Sequence, residues 1–436
     1  MKKVKRRATF AMLIALALVA GLVLYAVRFA LDGSAWAAFS ANRSIYQDGV
    51  LNTGTVTDRN GTVLAHAGGG VYAYADDWLT RVSCLHAVGD YAGYIGAGAL
   101  QLFSTKLGGY DIVNGTYDPD GAGGTVTLSI DAALNGAAYN ALAGRSGAVA
   151  VCNYQTGELL CMVSAPSYDP NGVPDPALEG VYLNRVTGAA YTPGSVFKLV
   201  TLTAALENLD DLETRTFWCE GGVTVDGEYV KCSGVHGSQT IEQAFANSCN
   251  CAFAQLSLEL GADTLSEYAQ ALGLTESHRL CGASTAAGSF EKAEAGSTDL
   301  AWSGIGQYTD LVNPYAMLRL VSAIAADGTV REPTLLKNGR SGSQRLLRSA
   351  TADALADFMQ YNVVNSYGSW NFPGLELCAK SGTAEVGDGT SHAWFTGFLQ
   401  DSDHPYAFVV VVEHGGGGLT AAGSVANAVL QAAVTD

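Results

Sequence analysis

Three short runs constrain this chain more than anything else in it: Tyr191 to Lys198 (YTPGSVFK), Ser248-Cys249-Asn250, and Lys380-Ser381-Gly382-Thr383. Pro193-Gly194 opens a stretch from Ser195 to Leu206 that reads as helix. Ser195 and Lys198 are three apart on it, so they share one face within side-chain reach. A serine hydroxyl is a poor nucleophile until a base takes its proton. A neutral lysine amine can do that when burial and nearby positive charge depress its pKa. A helix start beneath Ser195 also places N–H groups and a positive dipole end under developing negative charge.

The other two runs supply what such a nucleophile needs. Ser248 and Asn250 close the helix-like IEQAFANSCN within a longer helical reading from Ile241 to Gly261. There a serine can pass a proton to a leaving amine, and an amide can hold a substrate or the lysine. Lys380 to Thr383 falls on a strand reading from Leu377 to Val386. Lys380 brings positive charge, Gly382 lets a substrate backbone approach closely, and Thr383 offers a hydroxyl to a carboxylate and an N–H to an oxyanion. Each run alone is weak and reads equally as an N-cap serine with a solvated lysine, a polar helix end or a polar edge strand. Their order and the element under each point together to acyl transfer through serine.

The amino terminus gives the address. Lys2, Lys3, Lys5, Arg6 and Arg7 precede Ala8 to Val27, a run without charge or proline. At about 1.5 Å per residue it covers roughly 30 Å, one hydrocarbon core. Basic residues on that flank predict a cytoplasmic N-terminus with the rest of the chain outside. The competing reading is a signal peptide cleaved near Ala35-Trp36-Ala37, which lies well beyond the apolar run.

A length of 436 residues suits more than one unit, and 48% hydrophobic content with 52 glycines implies ample core and many tight turns. The net charge of -17 excludes an ordinary nucleic-acid binder. The reading divides the chain into residues 1–7, a cytoplasmic tail; 8–27, a transmembrane anchor; 28–120, a small juxtamembrane module; and 121–436, the catalytic unit. The module carries strand-prone GTVTDRNGTVLA around an Asn60-Gly61 turn. Beyond it come a hairpin over Gly147 to Ser164, central helices, late strands at Ala393 to Leu399 and Tyr406 to Glu413, and a closing helix from Ala421. Such an order describes a sheet whose first and last portions meet, with helices packed on both sides.

Nine cysteines leave at least one unpaired. Cys219 and Cys232 bracket a glycine-rich insertion and are the expected staple. Cys152 and Cys161, on the two arms of the hairpin, read as core residues or a cross-strand pair. Zinc is the alternative for these thiols, but C-x-x-C spacing and clustered histidines are both missing from the sequence.

With these runs in place, the chain resembles a penicillin-binding protein of the monofunctional, class B transpeptidase group. The similarity also rests on DRNG at Asp58–Gly61, GAVAVCNYQTGELLCMVSAPSYDPN at Gly147–Asn171 and NRVTGAAYTPGSVFK at Asn184–Lys198. CEGG and CSGVHG between Cys219 and Gly237, and KSGTAE and HAWFTGF between Lys380 and Phe398, agree as well. It covers Gly121 to Asp436 and extends thinly to Gly54.

The resemblance implies an α/β (α+β) fold of the serine β-lactamase and transpeptidase type: a central antiparallel sheet flanked by helices, a small pedestal and one membrane helix. It makes Ser195 the acylated nucleophile, Lys198 its general base, and Ser248 the proton shuttle to a departing D-alanine. Asn250 would hold the donor peptide, and Lys380 would anchor the terminal carboxylate and tune Ser248. Ser381 and Thr383, with Gly382 between them, would bind that carboxylate; the N–H groups of Ser195 and Thr383 would form the oxyanion hole. The implied partners are a stem-pentapeptide donor, an amine-bearing acceptor, β-lactams as covalent inhibitors, and a polytopic membrane glycosyltransferase, since no polymerising domain is legible. No cofactor, metal or nucleic acid is implied. Two departures are Cys249 inside the middle motif, expected to point away from the serine, and the short module.

The rivals are a D,D-carboxypeptidase or serine β-lactamase, which share the acyl-enzyme and differ in how water reaches it. A non-enzymatic rival is a membrane-tethered sensor acylated only by antibiotic.

Overall fold

A computed structural model describes all residues except 40, 41, 44, 48, 49, 117–122 and 436. The expected boundary between residues 120 and 121 therefore lies outside the described residues. At the amino end, the apolar run sits in a helix over Lys2–Ala37, long and apolar enough to cross a membrane, with its most apolar stretch wholly unburied.

Alternating and continuous apolar runs in the early hairpin and the late strands assemble one antiparallel sheet of five strands. Their order across the sheet is Leu377–Glu385, Ser391–Leu399, Tyr406–Val412, Gly147–Asn153 and Leu159–Ala165. Val410 lies opposite Val149, and Lys380 opposite Thr396. The strands are almost continuously buried, as expected for a sheet covered on both faces. On one face pack Leu199, Val200, Leu202, Met317, Leu320 and Trp394. On the other pack Leu134, Leu142, Val425, Val429 and Leu430, from helices Ala132–Leu142 and Ser424–Thr435, with Phe395. Trp394 and Phe395 are wholly buried, one in each core.

A second sheet joins Val71–Tyr74, Val63–Gly68, Gly54–Thr57 and Thr125–Thr127. Thr125–Thr127 pairs parallel to Gly54–Thr57 across a long stretch of chain. The turn after Gly54–Thr57 is built on Asp58, whose buried carboxylate accepts from the N–H groups of Asn60, Thr62 and Ala132. Val56, Leu64 and Leu100 belong to the same apolar cluster as Leu199 and Met317. The amino-terminal sheet thus has no separate core, as its size requires. Arg81 clamps Asp169 with bonds of 2.9 and 2.7 Å across the same junction.

The cysteine expectations need correcting. All nine thiols are free, so no staple joins Cys219 to Cys232. Cys152 and Cys161 face opposite sides of the central sheet, one in each core, which rules out a cross-strand pair.

Candidate active site

The nucleophile stretch is less uniform than its sequence suggests. Gly194–Phe197 is a 3-10 turn, and the α-helix begins at Lys198 and runs to Asn208. Gly194 has φ +55° and donates its N–H to Gly306 O at 2.8 Å. A side chain there would meet Thr383 O at 2.6 Å. Glycine therefore lets the nucleophile turn lie directly on the Lys380 strand. Gly382 does the same from the strand side: a Cβ would sit 2.8 Å from Pro193 O and 3.1 Å from Val196 Cγ1. The role expected of Gly382 was room for a substrate; the room it leaves is also taken by the nucleophile turn.

The second run breaks its helix. Ile241–Ala246 stops, and a new helix, Asn250–Ala271, starts with Cys249 as its N-cap. Between them Ser248 adopts φ +52°, the left-handed region that a side chain disfavours. A continuous helix would carry Ser248 around the helix surface. The break holds its hydroxyl and its carbonyl toward the lysines.

Lys198 and Lys380 are both wholly buried. Lys198 Nζ lies 3.2 Å from Ser195 Oγ, 3.2 Å from Ser248 Oγ, 2.6 Å from Ser248 O and 2.8 Å from Asn250 Oδ1. The two shortest contacts are to oxygens that can only accept, so they claim two N–H bonds. A neutral amine then has its lone pair left for a hydroxyl proton. Lys380 Nζ lies 3.0 Å from Ser248 Oγ and 2.9 Å from Ser381 O. One hydroxyl thus bridges two lysines.

Burial pulls the Lys198 ammonium down to about 8, against an opposing pull from the thiols of Cys232, Cys249 and Cys251. Burial, and then the charge on Lys198, push Lys380 well below the usual lysine range. Rings beneath each ammonium, Phe253 at 5.3 Å and Phe245 at 5.6 Å, favour the charged forms. They do not outweigh desolvation.

Ser195 and Ser381 are half-buried and Thr383 is exposed, so the three line one open edge. Thr383 Oγ1 accepts from Gly418 N–H at 3.0 Å. The structure thus brings Ser195, Lys198, Ser248, Asn250 and Lys380 into one hydrogen-bonded set, with Ser381, Gly382 and Thr383 continuing along the strand. Asn250 also donates from Nδ2 to Lys231 O at 2.8 Å, which turns its Oδ1 to Lys198.

Two supporting groups escaped the sequence reading. Tyr367, buried in a turn after helix Ser349–Asn362, hydrogen-bonds both the side chain and the N–H of Ser381. Glu413, at the end of the central strand, accepts from Arg185 Nε and Tyr191 OH, each at 2.7 Å. It thereby ties the segment leading to Ser195 onto the sheet. Neither residue belongs to a local motif, so no sequence signal marked them.

Comparison with known proteins agrees with this geometry. The family model for the penicillin-binding protein transpeptidase domain matches residues 147–434. A peptidoglycan D,D-transpeptidase PbpA from Mycolicibacterium smegmatis is 30% identical over 348 residues, 70% of each chain. The penicillin G acyl-enzyme complex of penicillin-binding protein A from M. tuberculosis superposes with a TM-score of 0.75 at 25% identity, covering 88% of this chain and 99% of that one. A D,D-transpeptidase domain from Eggerthella lenta gives 0.71 at 28% identity, covering 88% and 98%. Family match, relatives and the converging serines and lysines agree, and this chain belongs to the class B penicillin-binding proteins, the serine-type peptidoglycan D,D-transpeptidases.

Proposed function

We propose that Ser195 carries two successive acyl transfers between peptidoglycan stem peptides. The observation that carries the reading is Lys198 Nζ, held between the Ser195 and Ser248 hydroxyls by Ser248 O and Asn250 Oδ1. In the first transfer Ser195 Oγ bonds to the carbonyl carbon of the penultimate D-alanine, and its proton passes to Lys198. The amide C–N bond breaks as Ser248, between the two lysines, hands a proton to the departing D-alanine amine. In the second, a side-chain amine of a neighbouring stem attacks the ester carbonyl, loses its proton along the same route and releases Ser195.

In this reading the N–H groups of Ser195 and Thr383 hold the carbonyl oxygen as charge develops on it. Lys380, Ser381 and Thr383 receive the donor's terminal carboxylate, and Asn250 orients the donor peptide. A β-lactam takes the donor's place and remains as an ester on Ser195. Residues 8–27, within helix Lys2–Ala37, anchor the chain with the basic end in the cytoplasm, and residues 28–120 hold residues 121–436 off the bilayer as a pedestal. A polytopic membrane glycosyltransferase would supply the strands to be joined. Its absence from gently solubilised complexes would remove that partner.

The test is the intact mass of the full chain in detergent after mixing with penicillin, beside Ser195→Ala. A long-lived adduct on the parent alone supports transpeptidation. An adduct that turns over quickly supports a β-lactamase, and a folded parent that never acylates overturns the role of Ser195.

A further inference from the structure

Where the amino-terminal sheet meets the segment after the strand Leu159–Ala165, a cleft opens that shares no residue with the serine and lysine site. It encloses about 560 Å³ and is lined by six tyrosines. Tyr72 and Tyr74 stand on the edge strand Val71–Tyr74, and Tyr91 and Tyr94 follow the helix Trp78–Val88. Tyr168 and Tyr182 come from the segment that leads to the helix Arg185–Gly188. The rings form two platforms. Tyr91 lies 5.0 Å from Tyr72 and 5.2 Å from Tyr74, centre to centre, and Tyr182 lies 4.9 Å from Tyr94 and 5.7 Å from Tyr168. Tyr72, Tyr94 and Tyr182 are exposed, which leaves aromatic surface uncovered on both platforms.

We infer that this cleft binds an uncharged saccharide: a stretch of the N-acetylhexosamine glycan strand that carries the stem peptides. The inference rests on the peptidoglycan reading for the identity of the polymer. Chemistry selects the class. Among the described residues that line the cleft none is lysine or arginine, so nothing there balances an anion. Its one carboxylate, Asp90, is buried and accepts from the N–H groups of Ile95 and Tyr94 at 2.7 and 3.2 Å. Asp90 therefore organises its own turn, and what faces a ligand is ring surface and hydroxyl.

A pyranose has the complementary make-up. Its C–H face packs on an aromatic ring, and the hydroxyl and amide groups around its edge pair with phenols. A lipid chain or an apolar peptide would gain nothing from six hydroxyls over plain phenyl rings. Burial raises the phenols of Tyr74, Tyr91 and Tyr168, so all three stay protonated and able to donate. The Tyr91 hydroxyl is buried without a partner among the described residues, a donor beside the cleft that the fold leaves unused. The volume falls within the range of about 300–1,000 Å³ found for ligand clefts.

The platforms are also held in place. Tyr168 and Val181 pack with Leu85 and Ile95 in a small apolar cluster of their own. His86 Nε2 donates to Val181 O at 2.9 Å, and Arg185 donates to Gly180 O at 2.8 Å. With the Arg81–Asp169 clamp, these ties fasten the tyrosine-bearing segment to helix Trp78–Val88 before a ligand arrives. A strand held here brings its stems to the same molecule as Ser195, which raises their effective concentration. The tyrosines bind the strand and take no part in acylation.

The experiment titrates chitotetraose, a soluble neutral oligomer of N-acetylglucosamine, into the full chain in a polyoxyethylene detergent, because a sugar-headed detergent would compete. Saturation-transfer NMR should show binding at millimolar concentrations, weakened about tenfold in Tyr94→Ala and Tyr182→Ala. Both rings are exposed, so the variants should keep the fold, and penicillin acylation of Ser195 should match the parent. Crosslinking of stems carried on glycan strands should fall in the variants, while turnover of a free stem peptide should not. A folded parent that ignores chitotetraose overturns the inference, as does binding that both variants leave unchanged. Decaproline, an uncharged extended peptide, taking the cleft in place of the saccharide would overturn it too, by making the cleft a protein-docking groove. Saccharide binding is read independently of acylation, so the failure of this inference and the failure of Ser195 as nucleophile are distinguishable.

Discussion

Tyr367 and Ser381 share two hydrogen bonds: the phenol donates to Ser381 Oγ at 2.8 Å and accepts from the Ser381 N–H at 2.7 Å. Ser381 lies next to Lys380, whose amine reaches Ser248. A buried residue outside every motif therefore sets where the edge proposed to bind the carboxylate stands. Burial also raises the Tyr367 phenol above its usual range, so it stays neutral and able to donate.

Tyr367→Phe should leave the Ser381 N–H unpaired in a dry setting, at about 1–3 kcal/mol. We expect the apparent affinity for penicillin to fall about tenfold or more while the limiting acylation rate changes little. A stopped-flow saturation curve separates the two. A change confined to the limiting rate would contradict this placement.

The pH profile of acylation should follow the Lys198 and Lys380 pair. Burial lowers Lys198 to about 8, and in the proposed mechanism the neutral amine is the form that accepts the Ser195 proton. Acylation should therefore rise from mildly acidic to mildly alkaline pH with a midpoint near about 8. The midpoint belongs to the coupled pair, and burial is the leading cause of the Lys198 shift, so Lys380→Ala should move it upward by admitting water beside the amine. A flat profile in the parent would remove Lys198 as base.

Ser248 combines function with a strained backbone at φ +52°. Both Ser248→Ala and Ser248→Gly lose the bridging hydroxyl and should lose transfer to an acceptor amine. They should differ in stability, because only glycine accepts this φ freely. The glycine variant should be the more stable by about 1 kcal/mol. Paired thermal melts read the difference, and equal melting points would mean that the turn relaxes.

Gly382→Ala tests the seam between nucleophile turn and strand. The new Cβ would lie 2.8 Å from Pro193 O, a backbone atom with no freedom to swing aside. We expect a cost of about 1–3 kcal/mol and a loss of acylation larger than the loss of folded protein. Unfolding midpoints and adduct formation on the same sample give both numbers.

Glu413 should govern part of the acid limb of stability. Burial raises its carboxyl, but the bonds from Arg185 and Tyr191 outweigh that and hold it below its ordinary value. A depressed folded pKa stabilises above the unfolded value of about 4.3, and the gain fades as pH falls through the lower folded value. Glu413→Gln should cost about 3 kcal/mol near neutral pH, because Arg185 is left buried and unpaired. The difference should shrink in acid, which denaturant midpoints at several pH values would show.

Much of this arrangement was legible from local chemistry. The hairpin over Gly147 to Ser164 and the late strands announced themselves through short apolar runs with turn residues between them. The apolar helix over Lys2–Ala37 declared itself by length and by the basic residues before it. Ser195 and Lys198 were recognisable because one helical turn joins them. Such features depend on neighbours in sequence, and period and turn chemistry report neighbours well.

What only the tertiary structure decided depends on contacts between distant segments. Ser248 reads as an ordinary helical residue, yet its left-handed turn brings its hydroxyl and carbonyl to Lys198 and its hydroxyl to Lys380. Tyr367 and Glu413 carry no signal, since Tyr367 acts through Ser381 on another element and Glu413 through Arg185 and Tyr191 far back along the chain. Sheet register sent Trp394 and Phe395, neighbours in sequence, to opposite cores. Cys219 and Cys232 looked like a pair because they bracket an insertion, yet His236 and Cys249 converge on the same point. Sequence spacing measures distance along the chain, whereas hydrogen bonding, burial and side-chain clustering depend on distance through space, and only the folded backbone relates the two.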